Sequence, residues 1–370
     1  MNIQLIILTG FFVRLGIAFW NGFFGPSFGA ESDAVTFHLV AVDYAKNPVF
    51  PDIQLGWIYA YILGLIYAIT LDHLFIGSLL SCIFWLLSAY YLLKTLKLLD
   101  IEKEHIKYAL LIYALLPSSI LYTSVTLREV YQLFFINLAI FSALMIYIKQ
   151  KKSHLFTLLF SLICAGFLHG SLMIFGIIFL GLFLFFYSAK DKKITSLIKV
   201  AFVLPIILLI FNFGLSFFNQ NAYNLEEGLI GAVEKYQEGG LTVEGRANYK
   251  NDVDINGLFA FITFIPISLF QYLFEPMPWR ISSIFTDTPI FLENLLRAFL
   301  IFKAFKNLRT PSVQYYYRIL LLLITSFFML ETIWSLGTIN WGTASRHHIP
   351  SIGLLLISAF AIRNHQITKN

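Results

Sequence analysis

The chain has 370 residues, of which 58% are hydrophobic, 17% aromatic and only 13% charged. That mix excludes a water-soluble domain, whose surface needs far more charged side chains. The net charge of +5 would suggest nucleic acid in a soluble protein. Here most Lys and Arg residues sit in short loops between apolar runs, so they report topology and not a nucleic-acid partner. The two cysteines, Cys82 and Cys164, lie inside apolar runs and read as small core residues without a disulfide framework.

In chain order, the first apolar run is Ile3 to Phe24. It lacks a charged leading region, and Phe28 precedes Gly29 and Ala30 where a cleavage site needs a small residue, so it reads as a retained helix and not a signal peptide. Crossing a bilayer takes about 20 apolar residues, and such runs recur along the chain. The sequence predicts about ten spans, near 3–24, 74–93, 108–125, 130–148, 154–168, 171–187, 200–218, 285–302, 319–336 and 348–362. Two further segments, Leu55 to Thr70 and Leu258 to Phe274, are short and aromatic-rich. They are predicted as interfacial or re-entrant helices on the outer face. The expected fold is therefore all-α, a polytopic helical membrane protein forming one integral domain over residues 1–370, with a large loop at 219–257 that is longer than most connections.

Basic clusters at Lys94 to Lys107, "KQKK" at 149–152, "KDKK" at 190–193, Lys303 to Arg318 and the tail from Arg363 place those segments, and both termini, in the cytoplasm. The acidic stretches at 25–54 and 219–257 then lie outside. On that outer side fall "ESD" at 31–33, "TLREVY" at 126–131, His169, "EPMPWR" at 275–280 and "GTASRHH" at 342–348. Carboxylates, imidazoles and guanidinium groups from five loops can thus meet at one membrane face. Carboxylates accept a proton or hold a divalent cation, and Arg forks onto phosphate oxygens, which is the equipment for group transfer from an anionic lipid. Each residue also has a plainer reading. Glu31 and Asp33 read as solvated loop acids, Arg128 and Glu129 as an interfacial pair or helix-start charges, His169 as a turn residue, and Arg346 with His347 and His348 as headgroup anchors. Arg14 and Glu331 lie inside spans, where ionisable groups are costly and face an interior, and a mutual pair is one way to satisfy both.

The "ESD" at 31–33, followed by Phe37 and His38, and the Pro-containing "LLPSSILYTSVTLREVY" at 115–131 resemble the GT-C superfamily of polytopic glycosyltransferases over residues 1–190. "PMPW" at 276–279 and "ASRHHIP" at 344–350 resemble late-chain features of bacterial relatives. The resemblance implies transfer of a sugar from a polyprenyl-phosphate-linked donor to a glycan or lipid acceptor at the outer face of the plasma (inner) membrane. It implies Asp33 as the base, Glu129 as a second catalytic acid and Arg346 as the holder of the lipid phosphate. Glu31, His38, Arg128, His169 and His347 become substrate-binding candidates. Glu31 and Asp33 could hold Mg²⁺ or Mn²⁺, whereas zinc is disfavoured because the His residues show no ligand spacing.

Two other readings stay open at this stage. One is a polymerase or ligase of lipid-linked glycans, in line with an Arg246 to Gly257 spacing that this composition also supplies by chance. The other is a lipid-linked glycan flippase without catalysis, although the paired halves with broken helices that mark many transporters are not visible.

Overall fold

A computed structural model describes residues 2–27, 30–48, 55–188, 246–250, 257–309 and 314–361. Among them every regular element is helical, and an antiparallel bridge joins Asn248 and Asn340.

Helix α1 (Ile3–Phe23) starts where the Asn2 side chain accepts the Gln4 N–H. Its inward face carries Ile6, Gly10, Arg14, Ala18 and Asn21, while Phe12, Phe19, Trp20 and Phe23 are half or more exposed. Small and polar groups inside with aromatics outside is the inverse of a soluble helix and suits a lipid surroundings. Gly10 is needed for close approach, because a Cβ there would come 2.7 Å from the Trp85 ring. Helix α2 (Glu31–Lys46) and α3 (Ile58–Ile69) pack on each other as a hairpin. Helix α4 (Leu74–Leu98) buries Gly77, Ser78, Ser81, Cys82, Ser88 and Ala89, a small-residue face that packs on α1 and on α7 (Glu129–Lys149).

Between them, α5 (Lys103–Leu115) and α6 (Pro117–Tyr122) are separated at Leu116, whose ψ of 119° is extended. Pro117 causes the break, since it disfavours helical backbone in the residue before it. A polar seam joins these elements: Tyr113 Oη donates to Ser88 Oγ at 2.7 Å, and Asn137 Nδ2 donates to the same oxygen at 2.9 Å. The series continues with α8 (His154–Leu168), α9 (Gly170–Ser188), α10 (Gly257–Phe274), α11 (Asp287–Arg309), α12 (Gln314–Gly337), α13 (Trp341–His347) and α14 (Ile352–Phe360). Helix α12 packs against α9, α10 and α14, and the core runs continuously through Trp85, Tyr113, Phe175, Phe179 and Phe327.

Five helices among the described residues are long and apolar enough to span a bilayer: Ile3–Phe23, Leu74–Leu98, Glu129–Lys149, Gly170–Tyr187 and Tyr316–Gly337. The chain is therefore a helical membrane protein, but the expected ten spans are not found. The segment 108–125 is two helices broken at Pro117. Helix α8 has 15 residues, about 22 Å at the usual rise, and α14 has nine, about 14 Å, both short of a hydrocarbon core of about 30 Å. Helix α11 turns Asp287, Glu293, Asn294 and Arg297 into the protein interior. The segment 200–218 and the loop from 219 to 245 lie outside the described residues. The 55–70 and 258–274 segments do form short or Pro-containing apolar helices, α3 and α10.

Candidate functional site

The stretch read as a loop around "ESD" is instead the first turn of α2. Asp33 lies in that turn, and Glu129 is the first residue of α7. Both acids thus occupy helix N-termini, where the helix dipole favours negative charge. Opposite them is α13, whose N-terminus is capped by Asn340 Oδ1 accepting the Thr343 N–H at 2.7 Å. Arg346 and His347 fall in its last turn, where the dipole favours positive charge.

These three helix ends converge. Arg346 Nη1 donates to Asp33 Oδ2, and Arg346 Nε lies 3.1 Å from Glu129 Oε1, close enough for charge pairing although off-line for a hydrogen bond. Residues 33 and 346 are 313 positions apart. Glu129 is 1% exposed, and the Asp33 side chain keeps 46% of its surface. Burial opposes the charge on Arg346, but Glu129 and Asp33 together outweigh it and hold the guanidinium above its ordinary range.

Behind Arg346, His347 stacks on Trp334 with ring centroids 4.0 Å apart. His169, at the α8–α9 turn, packs on the same Trp334 at 4.3 Å and lies 6.0 Å from His347. Burial, reinforced by the Arg128 and Arg346 cations, pushes both imidazoles well below the usual histidine range, so both are neutral at neutral pH. Arg128 caps the preceding end of α7 and donates to the Gly56 carbonyl at 3.1 Å, with its guanidinium 5.5 Å from the Phe37 ring. It does not pair with Glu129, contrary to the interfacial-pair reading; the ion pair of that carboxylate is with Arg346.

His38 is not brought in. It lies five residues after Asp33, about 140° round a helix at 3.6 residues per turn, and its Nδ1 is 3.0 Å from the Tyr67 hydroxyl of α3. Glu31 opens α2, but its side chain lies outside the described residues. Arg14 and Glu331 are each buried but do not pair. Arg14 donates to Thr123 Oγ1, Ser119 Oγ and the Gly10 and Ala114 carbonyls, with its guanidinium 3.8 Å over Trp85. Glu331 pairs with His348 Nδ1 at 2.5 Å and accepts from Ser351 Oγ.

Several supporting residues were not anticipated. Glu293 of α11 accepts the Ser118 N–H at 2.6 Å, capping α6, while Tyr122 of α6 is hydrogen-bonded to Ser345. Segment 246–250 braces α13: the Trp341 N–H donates to the Ala247 carbonyl at 3.1 Å, and Arg246 pairs with Asp287, which also accepts from the Trp341 ring N–H. Asp287 and Glu293 sit within an apolar run and would be visible as intramembrane acids, which need interior partners.

Of the two acids expected to hold a divalent cation, the Glu31 side chain lies outside the described residues. The other, Asp33, accepts from the Arg346 guanidinium. Among the described residues no three His, Cys, Asp or Glu side chains gather into a metal-binding group. Comparison with protein families, characterised proteins and solved structures finds no match to this chain.

Proposed function

We propose that the chain is a membrane glycosyltransferase that moves a sugar from a polyprenyl-phosphate-linked donor to a glycan or lipid acceptor at the outer face of the plasma membrane, with both termini cytoplasmic. The observation that carries this reading is the contact of Arg346 with both Asp33 and Glu129. It draws the first acidic motif and the acid at the head of α7, the two acids that the resemblance to GT-C enzymes singles out, to one guanidinium.

The chemistry follows from unequal burial. Glu129 is enclosed and fixes the guanidinium, whereas Asp33 is half exposed and is the partner that an incoming phosphate can displace. A phosphate oxygen on Arg346 gains a charge-assisted hydrogen bond. As the sugar leaves, the charge growing on the phosphate oxygens meets a donor already oriented, which is where preorganised electrostatics lowers a barrier most. Asp33 and Glu129 act in this reading by positioning Arg346.

The test is transfer by purified protein in lipid nanodiscs, supplied with radiolabelled polyprenyl-phosphate sugars and an acceptor glycan. Wild type transfers label, and Arg346→Lys, which keeps the charge but loses the planar fork, raises the donor KM at unchanged membrane levels. Intact protein that transfers from none of the donors, or a donor KM unmoved in Arg346→Lys, refutes the assignment.

A further inference from the structure

The two histidines behind Arg346 each have Nδ1 engaged by a neighbour. The Ser171 N–H donates to His169 Nδ1 at 3.2 Å. A backbone N–H can only donate, so Nδ1 is bare and the ring hydrogen of neutral His169 is on Nε2. On the other ring, Thr338 Oγ1 lies 2.8 Å from the Trp334 carbonyl and 3.1 Å from His347 Nδ1. With the hydroxyl donating to that carbonyl, Thr338 Oγ1 is left to accept from His347 Nδ1–H. His347 Nε2 is therefore bare, and no described residue bonds it. One ring then offers a donor and the other an acceptor, both packed on Trp334.

A hydroxyl group needs that combination, because it donates one hydrogen bond and accepts others. Two hydrogen bonds of about 2.8 Å to one oxygen bridge a gap compatible with rings whose centroids are 6.0 Å apart. Before a phosphate arrives, both carboxylates face Arg346. Building on the glycosyltransferase reading, we propose that His169 and His347 bind the hydroxyl of the acceptor and that His347 Nε2 takes its proton in the transfer step.

The step balances. The acceptor oxygen bonds to the sugar anomeric carbon while the bond from that carbon to the phosphate oxygen breaks, its electron pair staying on the lipid phosphate beside Arg346. The hydroxyl proton passes to His347, which becomes an imidazolium and loses the proton to water after the product departs. The charged and titratable groups around His347 are Arg346 and His348 of its own segment, His169 and Arg128, with Tyr122 beyond Arg346 and with Tyr272 and Glu331 reaching it only through His348. The cations among them and burial favour the neutral ring, so activity falls on the acid side only below the usual histidine range.

The deciding comparison is His347→Asn against Asp33→Asn in the nanodisc transfer assay, across pH. Asn can keep a donor near Thr338 but supplies no base. The expected result is a kcat loss of about 10² to 10⁴ in His347→Asn, an unchanged donor KM and disappearance of the acid limb, whereas Asp33→Asn mainly alters the donor KM. If Asp33→Asn instead removes kcat and the acid limb while His347→Asn retains them, Asp33 is the base and the proposal is overturned. Wild type that transfers from no donor fails the glycosyltransferase reading itself, an outcome distinct from a wild type that transfers beside an unaffected His347→Asn. Nitrogen-15 NMR of wild-type protein with labelled histidine gives a readout that needs no variant to fold: His347 as the Nδ1–H tautomer and His169 as Nε2–H are expected, and the reverse pairing overturns the proposal.

Discussion

Replacing Glu129 with Gln keeps the shape of a side chain that is 1% exposed and removes the charge that meets Arg346 Nε at 3.1 Å. The Arg346 side chain retains only 16% of its surface, so its guanidinium cannot turn to water for compensation. Removing one member of a buried ion pair costs about 3 to 5 kcal/mol, because the other charge stays desolvated. The remaining partner, Asp33, is 46% exposed, and a pair with one end in solvent contributes at most about 1 kcal/mol. Glu129→Gln should therefore destabilise by about 3 kcal/mol and Asp33→Asn by about 1 kcal/mol or less. At about 2 °C per kcal/mol for a chain of this size, that is a Tm drop of about 6 °C against about 2 °C. The protein carries its own reporter, since Cys82 is buried and Cys164 partly buried, and a thiol-reactive fluorophore lights up as they become accessible on heating in detergent. Adding Arg346→Met to Glu129→Gln should recover part of the loss, because no unpaired charge is then left inside. Equal shifts for the two acid replacements, or an unchanged Tm in Glu129→Gln, would refute the argument that burial ranks the two acids.

Three further outcomes are expected. Arg14 has only neutral acceptors and the Trp85 face among the described residues, so Arg14→Lys, which keeps a charge that cannot reach four oxygens, should lower Tm more than Arg14→Met, which removes it; the opposite order would point to an unseen counter-charge. Lys250 is buried, donating to Ser268 Oγ at 2.7 Å and to the Ser335 carbonyl, and burial pulls its amine down from 10.5 to about 7. Because the folded value lies below the unfolded one, the unfolded chain binds more protons between them, so Tm should climb as pH rises from about 7 and the climb should be absent in Lys250→Met. Single cysteines at Asn47 and Lys152, in a background lacking Cys82 and Cys164, should react with impermeant label from opposite sides of the membrane; same-side labelling would overturn the orientation drawn from the basic loops.

The long apolar helices were legible because nothing interrupts them: α1, α4, α7, α9 and α12 coincide with predicted spans. The expectation of ten failed where run length was taken for helix length. Pro117 splits one run, and the acids and arginine of α11 need interior partners that only the folded chain supplies. Helix α2 went unread behind its Gly- and Pro-containing approach, although Ala34, Phe37, Ala41 and Tyr44, all buried, repeat at helical spacing. For the site, residue type and side of the membrane brought Asp33, Glu129, His169, Arg346 and His347 onto one short list, but not their partners. Arg128 and Glu129 are neighbours in sequence and bond elsewhere, and Arg14 and Glu331 share a need for partners without sharing a pair. What chain order could have supplied is dipole placement. Acids open α2 and α7 and an arginine closes α13, so each charge sits where its own helix favours it before any contact forms. Their meeting then adds attraction between groups already stabilised in place, which is how one arginine can be held by acids that lie more than 200 positions away from it in the chain.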